Sequence, residues 1–250
     1  MFVDFLTVYI FFVGLIFGSF FNVCIYRIPK GESIAFPPSH CTSCNTRLKP
    51  MDLVPVFSYI FLRGKCRYCG EKISPRYAIV EFATAVMYAG LYCKFGLSFD
   101  FLKYVILVSF LLIIGLIDYD TTDVYLVTTL SGIIVGVILA IAGFFMGEPP
   151  LNYLLGALLS GGIIAFIIIL TGGMGWGDAE ICVMAGMYLG LSKSVVMMFF
   201  SFVLGGIIGI ILIITKKKSR KDYIPFGPYI VLGTMIAVFF GDTIIKWYMP

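Results

Sequence analysis

Apolar residues run along this chain in long blocks separated by short polar stretches. A bilayer core of about 30 Å takes roughly 20 apolar residues per helix. The blocks lie near 5–26, 78–96, 101–117, 125–145, 152–171, 179–191, 194–214 and 226–246, with the sixth the shortest. This pattern predicts an all-α, polytopic integral membrane protein with about eight transmembrane helices. The widest polar interruption, over 27–77, separates the first two helices. Residues 1–96 are therefore expected to form a two-helix half carrying a long loop, and residues 97–250 a six-helix half with short loops. No internal repeat or low-complexity linker divides the chain further.

Composition agrees with the pattern. Hydrophobic residues make up 60% of the 250, charged residues only 13%, and mean hydropathy is +1.01, well beyond an ordinary globular domain. The opening "MFVDFLTVYIFF" has no basic start and no small-residue cleavage site, and it runs into "YRIPK". It reads as a retained helix and not as a signal peptide.

Lys and Arg set the orientation. Nine of the 18 fall between Arg27 and Arg76, and five more in "KKKSRK" at 216–221, so both stretches are expected on the cytoplasmic side. With eight crossings, "DYDTTD" (118–123) and "GGMGWGD" (172–178) reach that same side, and both termini face outward. The net charge of +4 is this topology signal. It does not point to nucleic acid, and "KKKSRK" reads as an anchor to membrane lipid.

Seven cysteines are present. Cys24, Cys93 and Cys182 stand singly in apolar helices and read as packing residues. Cys41, Cys44, Cys66 and Cys69 form C-x2-C-x21-C-x2-C, a spacing that suits tetrahedral metal coordination. A pair of disulfides would use the same residues, but a loop on the reducing side favours metal. A four-thiolate site has no open position, so the zinc it predicts is structural. His40, beside Cys41, reads as an exposed loop histidine. Asn22, Arg27 and Glu81 border the loop at the ends of the first two helices, where polar groups are costly. Asn22 either bonds a neighbouring helix or faces a ligand, and Glu81 either pairs with Arg76 or Arg27 or serves a site; the sequence leaves both open.

Two further acids stand at helix ends. Asp118 closes "FLLIIGLID", and Asp178 closes a turn with glycine at 172, 173, 175 and 177, whose lack of side chains permits close backbone approach. Asp178 would also serve as N-cap of the next helix, with Glu180 favourable to its dipole. On a continued helix, Asp120 and Asp123 lie about 200° and 140° round from Asp118, so the three cannot share one target. Two aspartates meeting in a partly dry cavity cannot both ionise, which makes one a general acid and the other a general base. Such a pair hydrolyses amides without a metal or a covalent intermediate.

The constellation resembles the type IV prepilin peptidase family, the bifunctional leader peptidases and N-methyltransferases among the GxGD intramembrane aspartyl proteases. The resemblance covers nearly the whole chain. It rests on "GSFFNVCIYRIP", on "PPSHCTSC" followed by "VPVFSYIFLRGKCRYCGEKISPRYAIVE", and on "LID", "GWGD" and "PFGPYI", in the family's order. It implies Asp118 and Asp178 as the catalytic pair, Cys41, Cys44, Cys66 and Cys69 as zinc ligands, and S-adenosylmethionine bound by a methyltransferase-like half (1–96), with Asn22, Arg27 and Glu81 as candidate orienting residues. The peptidase is then the six-helix half. The substrates implied are prepilins or pseudopilins, cleaved and N-methylated at the cytoplasmic face of a bacterial inner membrane. Two departures touch how loops and substrate are held. Val124, Tyr125 and Leu126 stand where the family has Leu/Ile-Pro-Asp, and Glu180 where it commonly has Lys. An ion-coupled transporter would also use intramembrane acids but leaves the cysteine loop unexplained. A non-enzymatic assembly scaffold would tolerate Asn at both aspartates.

Overall fold

The computed structural model describes residues 4–216 and 225–248, and its long elements are all helices. Residues 217–221 of the basic run, read above as a lipid anchor, lie outside the described part. Seven helices among the described residues are long and apolar enough to cross a membrane. They are α1 (Phe5–Arg27), α3 (Arg76–Phe95), α4 (Phe99–Thr121), α5 (Leu126–Phe145), α6 (Pro150–Thr171), α7 (Trp176–Ile214) and α8 (Gly227–Tyr248), while α2 (Phe57–Phe61) is a short turn of helix in the cysteine loop. The chain is an all-α polytopic membrane protein. It divides into two compact units, Met1–Phe101 and Leu102–Pro250.

In the first unit α1 and α3 form an antiparallel hairpin. The approach is close because Gly14 and Gly18 face α3: a Cβ on either would lie 2.6 Å from the Cα of Ala85 or Glu81. Small residues four apart are how membrane helices bring backbones together. Asp4 caps α1 by accepting from the Thr7 amide (2.8 Å), and it also accepts from the Tyr92 hydroxyl near the far end of α3 (3.0 Å). Cys93, expected in packing, is exposed; it sits in the last turn of α3, beyond the tight seam.

The second unit is a bundle whose core holds Leu107, Leu111, Ile114, Ile164, Ile181, Met184, Met197 and Ile230. Its outer positions, among them Ile138, Phe166, Ile169 and Ile210, are exposed apolar side chains, as a lipid-facing surface requires. Helix α7, 39 residues long, would reach about 58 Å if straight, nearly twice a bilayer core. It is not straight. Gly190 has φ 72 and ψ 176, and the Cys182 thiol lies 3.9 Å from Met198 Sδ, whereas residues 16 apart on a straight helix are about 24 Å apart. The helix therefore doubles back at Gly190. Its two arms are the segments expected at 179–191 and 194–214, joined with no intervening loop. Gly156 of α6 lies against the first arm, where a Cβ would be 2.6 Å from the Gly186 carbonyl oxygen, and the Ser160 hydroxyl donates to the Cys182 carbonyl (2.8 Å).

Candidate active site and metal centre

Asp118 stands in the last turn of α4 and Asp178 in the first turn of α7. Both are almost fully buried, at 1% and 2% exposure, and the carboxylates are near enough to repel one another. Asp120 and Asp123 are exposed; Asp120 lies about 200° round α4 from Asp118, whereas Asp123 stands beyond the end of that helix at Thr121. The N-cap expected at Asp178 falls instead at Gly175, because α7 begins three residues earlier than the apolar block; Asp178 lies at the third helical position and accepts from the Gly175 amide at 3.3 Å. Gly172 ends α6 in a left-handed conformation (φ 61), which favours glycine. Gly177 faces Val124: a Cβ there would lie 2.5 Å from the valine Cβ. The glycines of this turn thus serve the fold locally, and the departure at Val124 is seated directly against the "GWGD" stretch. Glu180, the other departure, accepts from the buried Thr129 hydroxyl of α5 (2.6 Å).

The four cysteines of the loop in the first unit come together. Their sulfurs all lie within 4.8 Å of one another, and Cys41 Sγ is 3.9 Å from Cys69 Sγ. A disulfide needs about 2.05 Å between sulfurs, whereas four thiolates at about 2.3 Å from a tetrahedral zinc stand under 4 Å apart. The donor set therefore fits zinc. The two knuckles repeat one local geometry. Cys41 N–H donates to Thr46 O and Asn45 N–H back to Cys41 O; Cys66 N–H donates to Glu71 O and Gly70 N–H back to Cys66 O. Asn45 (φ 54) and Gly70 (φ 75) take the left-handed turn that each knuckle needs. Asp52 ties the loop together by accepting from Arg67 Nε and from the Tyr68 hydroxyl. His40 is exposed, lies outside the sulfur cluster, and has Nδ1 near the Pro38 carbonyl (3.2 Å). The Thr46 hydroxyl, 3.3 Å from Cys44 Sγ, together with the Thr46 backbone amide and the neighbouring Cys41 and Cys69, pulls that thiol down to about 6.

A cavity of about 450 Å³ opens in the same unit, bordered by Asn22, Tyr26, Arg27, Tyr77 and Glu81 on the helix side and by Cys41 and Cys66 on the loop side. The structure thus brings Asn22, Arg27 and Glu81 to one space. Asn22 Nδ2 donates to the Tyr77 carbonyl of α3 (3.0 Å). The Arg27 guanidinium donates to the Ser33 (2.8 Å) and Pro37 (2.6 Å) carbonyls. Glu81, 8% exposed, accepts from the Val56 amide (2.7 Å). The acid–arginine pairing considered from sequence is thereby replaced, at both groups, by bonds to loop backbone. Reasoning from sequence missed Val56, Thr129 and Gly227. Gly227 donates its amide to Asp118 Oδ2 at 2.9 Å; its only prior signal was its place in "PFGPYI".

Fold and site define a polytopic membrane protein with two buried aspartates in one unit and a metal-ready cysteine cluster in the other. Comparison with known families places it more narrowly. A family model described as "Bacterial Peptidase A24 N-terminal domain" matches residues 12–95, and one described as "Type IV leader peptidase family" matches residues 105–210. Among curated proteins, a prepilin leader peptidase/N-methyltransferase of Bacillus subtilis is 32% identical over 244 residues, covering 96% of each chain. Counterparts of the same description from Pseudomonas putida and Neisseria gonorrhoeae are each 30% identical, covering 93% and 95% of this chain and 90% and 92% of theirs. No solved structure matches the chain. The chain belongs to the type IV prepilin leader peptidase/N-methyltransferase family.

Proposed function

We propose that this chain removes the leader peptide from type IV prepilins or pseudopilins and methylates the new N-terminus, at the cytoplasmic face of a bacterial inner membrane. The observation that carries the first reaction is the burial of both Asp118 and Asp178 within one unit of a chain of this family, near enough for their charges to interact. Two close carboxylates share a proton. The unprotonated one takes a proton from an attacking water while the other protonates the amide, and neither step needs a metal. The cytoplasmic assignment rests on the nine basic residues between Arg27 and Arg76.

The second reaction is assigned to the first unit, residues 1–96 by the sequence reading. S-adenosylmethionine, when bound, supplies an electrophilic methyl group. The cavity fits a ligand of that class in size and offers a carboxylate to a cationic group. In this reading Glu81 accepts from the substrate's amine and draws its proton away, Asn22 sets the position of the Tyr77 backbone, and Arg27 holds the loop as one wall. Cys41, Cys44, Cys66 and Cys69 hold a structural zinc that keeps the loop folded over the cavity. The test is to incubate the purified protein with a prepilin and S-adenosylmethionine and read the product's N-terminus by mass spectrometry. A cleaved, methylated product is expected. Uncleaved prepilin from a folded preparation would overturn the reading.

A further inference from the structure

The "PFGPYI" motif has so far no task beyond opening α8. Its Gly227 is the first residue of that helix, and its amide donates to Oδ2 of Asp118 across 109 residues of chain. The first amides of a helix have no partner inside it, and Pro228 offers none at all. Among the described residues, Gly227 is the one hydrogen-bond donor to the Asp118 carboxylate. Any other residue type would displace that carboxylate: a Cβ at 227 would lie 2.5 Å from Asp118 Oδ2 and 3.1 Å from its Cγ. The turn itself is anchored. The Phe226 ring lies 5.5 Å from the Phe202 ring and covers Gly205 of the second arm of α7, where a Cβ would be 2.9 Å from it.

We propose that Gly227 is a positioning residue for Asp118. Its amide holds Oδ2 and leaves Oδ1 to face the water and the scissile bond, while Phe226, seated on Gly205, fixes where that amide stands. The start of α8 also presents the positive end of a helix dipole to a carboxylate that otherwise sits at the unfavourable end of its own helix. Geometry of this kind is expensive to lose, since misplacing a reacting group by about 1 Å costs about 10²-fold in rate. The inference rests on the peptidase reading of Asp118.

The experiment compares Gly227→Ala, Asp118→Ala and the double variant in detergent, reading prepilin cleavage and thermal unfolding. Gly227→Ala is expected to lower kcat by about 10²-fold, with KM changed less than about threefold and a displaced pH profile. It should lower Tm in the otherwise intact chain but not in Asp118→Ala, where the obstructing carboxylate is gone, because only contacting residues couple in this way. Phe226→Leu keeps the amide and loosens its anchor; it should reduce kcat more than KM, and it stands in if Gly227→Ala does not accumulate. Wild-type kcat and pH profile in Gly227→Ala, or in Phe226→Leu where that is the variant read, or the same loss of Tm with and without Asp118, would overturn the proposal. Retained cleavage in Asp118→Ala overturns the peptidase reading instead, and the positioning role with it.

Discussion

The Val56 amide donates to Oε2 of Glu81, 25 residues further along the chain, and it does so from a strained position. Val56 has φ 62 and ψ −50, and the Phe57 amide reaches back to the Pro55 carbonyl at 2.6 Å. This is a γ-turn of the rarer, strained sense, placed on a β-branched residue that disfavours it. Strain of this kind persists only where the surroundings hold it, and here the Glu81 carboxylate does so.

Replacing the donor therefore separates the bond from the side chain. Val56→Gly keeps the amide and relieves the backbone, so it should cost under about 1 kcal/mol or stabilise slightly. Val56→Pro removes the amide and cannot take a positive φ. Limited proteolysis should then cut the 45–70 region far faster in Val56→Pro than in Val56→Gly. Equal protection would show that the Glu81 bond does not hold the loop.

A zinc content of about one per chain is expected, and Cys41→Ser or Cys69→Ser should lower metal content and loop protection together. Thr46 supplies a finer test. Its hydroxyl first, and its backbone amide next, lower the Cys44 thiol to about 6, which favours the thiolate form that a metal takes. A thiol lowered on folding contributes stability above its ordinary value near 9, and that contribution is lost as pH falls through about 6. Thr46→Val makes the thiolate more basic, and protons then compete better with the metal. Acid titration followed by a chromogenic chelator should show release at higher pH in Thr46→Val than in the parent; an unchanged curve would remove Thr46 from this role.

Asp118→Asn and Asp178→Asn should each reduce leader cleavage by at least about 10³-fold, since an acid–base pair works only with both members. Asp120→Asn and Asp123→Asn change exposed side chains and should stay within about threefold of the parent, as surface substitutions generally do. Cleavage is read by gel shift of a prepilin, with membrane accumulation as control. Equal loss from Asp120→Asn would move the assignment away from Asp118.

What the sequence displayed is what repeats locally. Apolar blocks announce helices, and C-x2-C repeats bring sulfurs together because each knuckle is closed by its own short-range backbone bonds. What it concealed are pairings without a local signature. Glu81 was expected to meet an arginine because charge suggests charge, yet its partner is a backbone amide, which every residue but proline carries. Gly227–Asp118 and Thr129–Glu180 span 109 and 51 residues and follow from bundle geometry alone. The doubled helix α7 showed as two segments because Ser192 and Lys193 interrupt its apolar run, though the reversal itself falls at Gly190, just before them.

The close seams between glycines give a prediction of their own. Gly156 and Gly186 meet backbone to backbone, whereas Gly162 on the same helix faces open space. Gly156→Ala should sharply reduce the yield of folded protein, and Gly162→Ala should be neutral or mildly stabilising, since alanine is the better helix former by about 1 kcal/mol. Thermal unfolding in detergent distinguishes them, and similar effects from the two would contradict the seam.

The two proposed reactions should separate, because the groups assigned to them belong to different units of the chain. Glu81→Gln keeps an oxygen that can accept from Val56 while removing the charge. The loop should stay folded and cleavage continue, with methylation reduced at least about tenfold. The converse needs a different substrate. Asp178→Asn leaves the leader attached, so no free amine arises to be methylated, and loss of methylation on a prepilin says nothing about the first unit. A mature pilin with its leader already removed bypasses that dependence. Given this substrate and S-adenosylmethionine, Asp178→Asn should methylate at the parent rate, read as the mass increment on the N-terminal peptide. A failure to methylate, in a protein whose zinc content and Tm are unchanged, would mean that Asp178 or its glycine turn also shapes the methyl-transfer site.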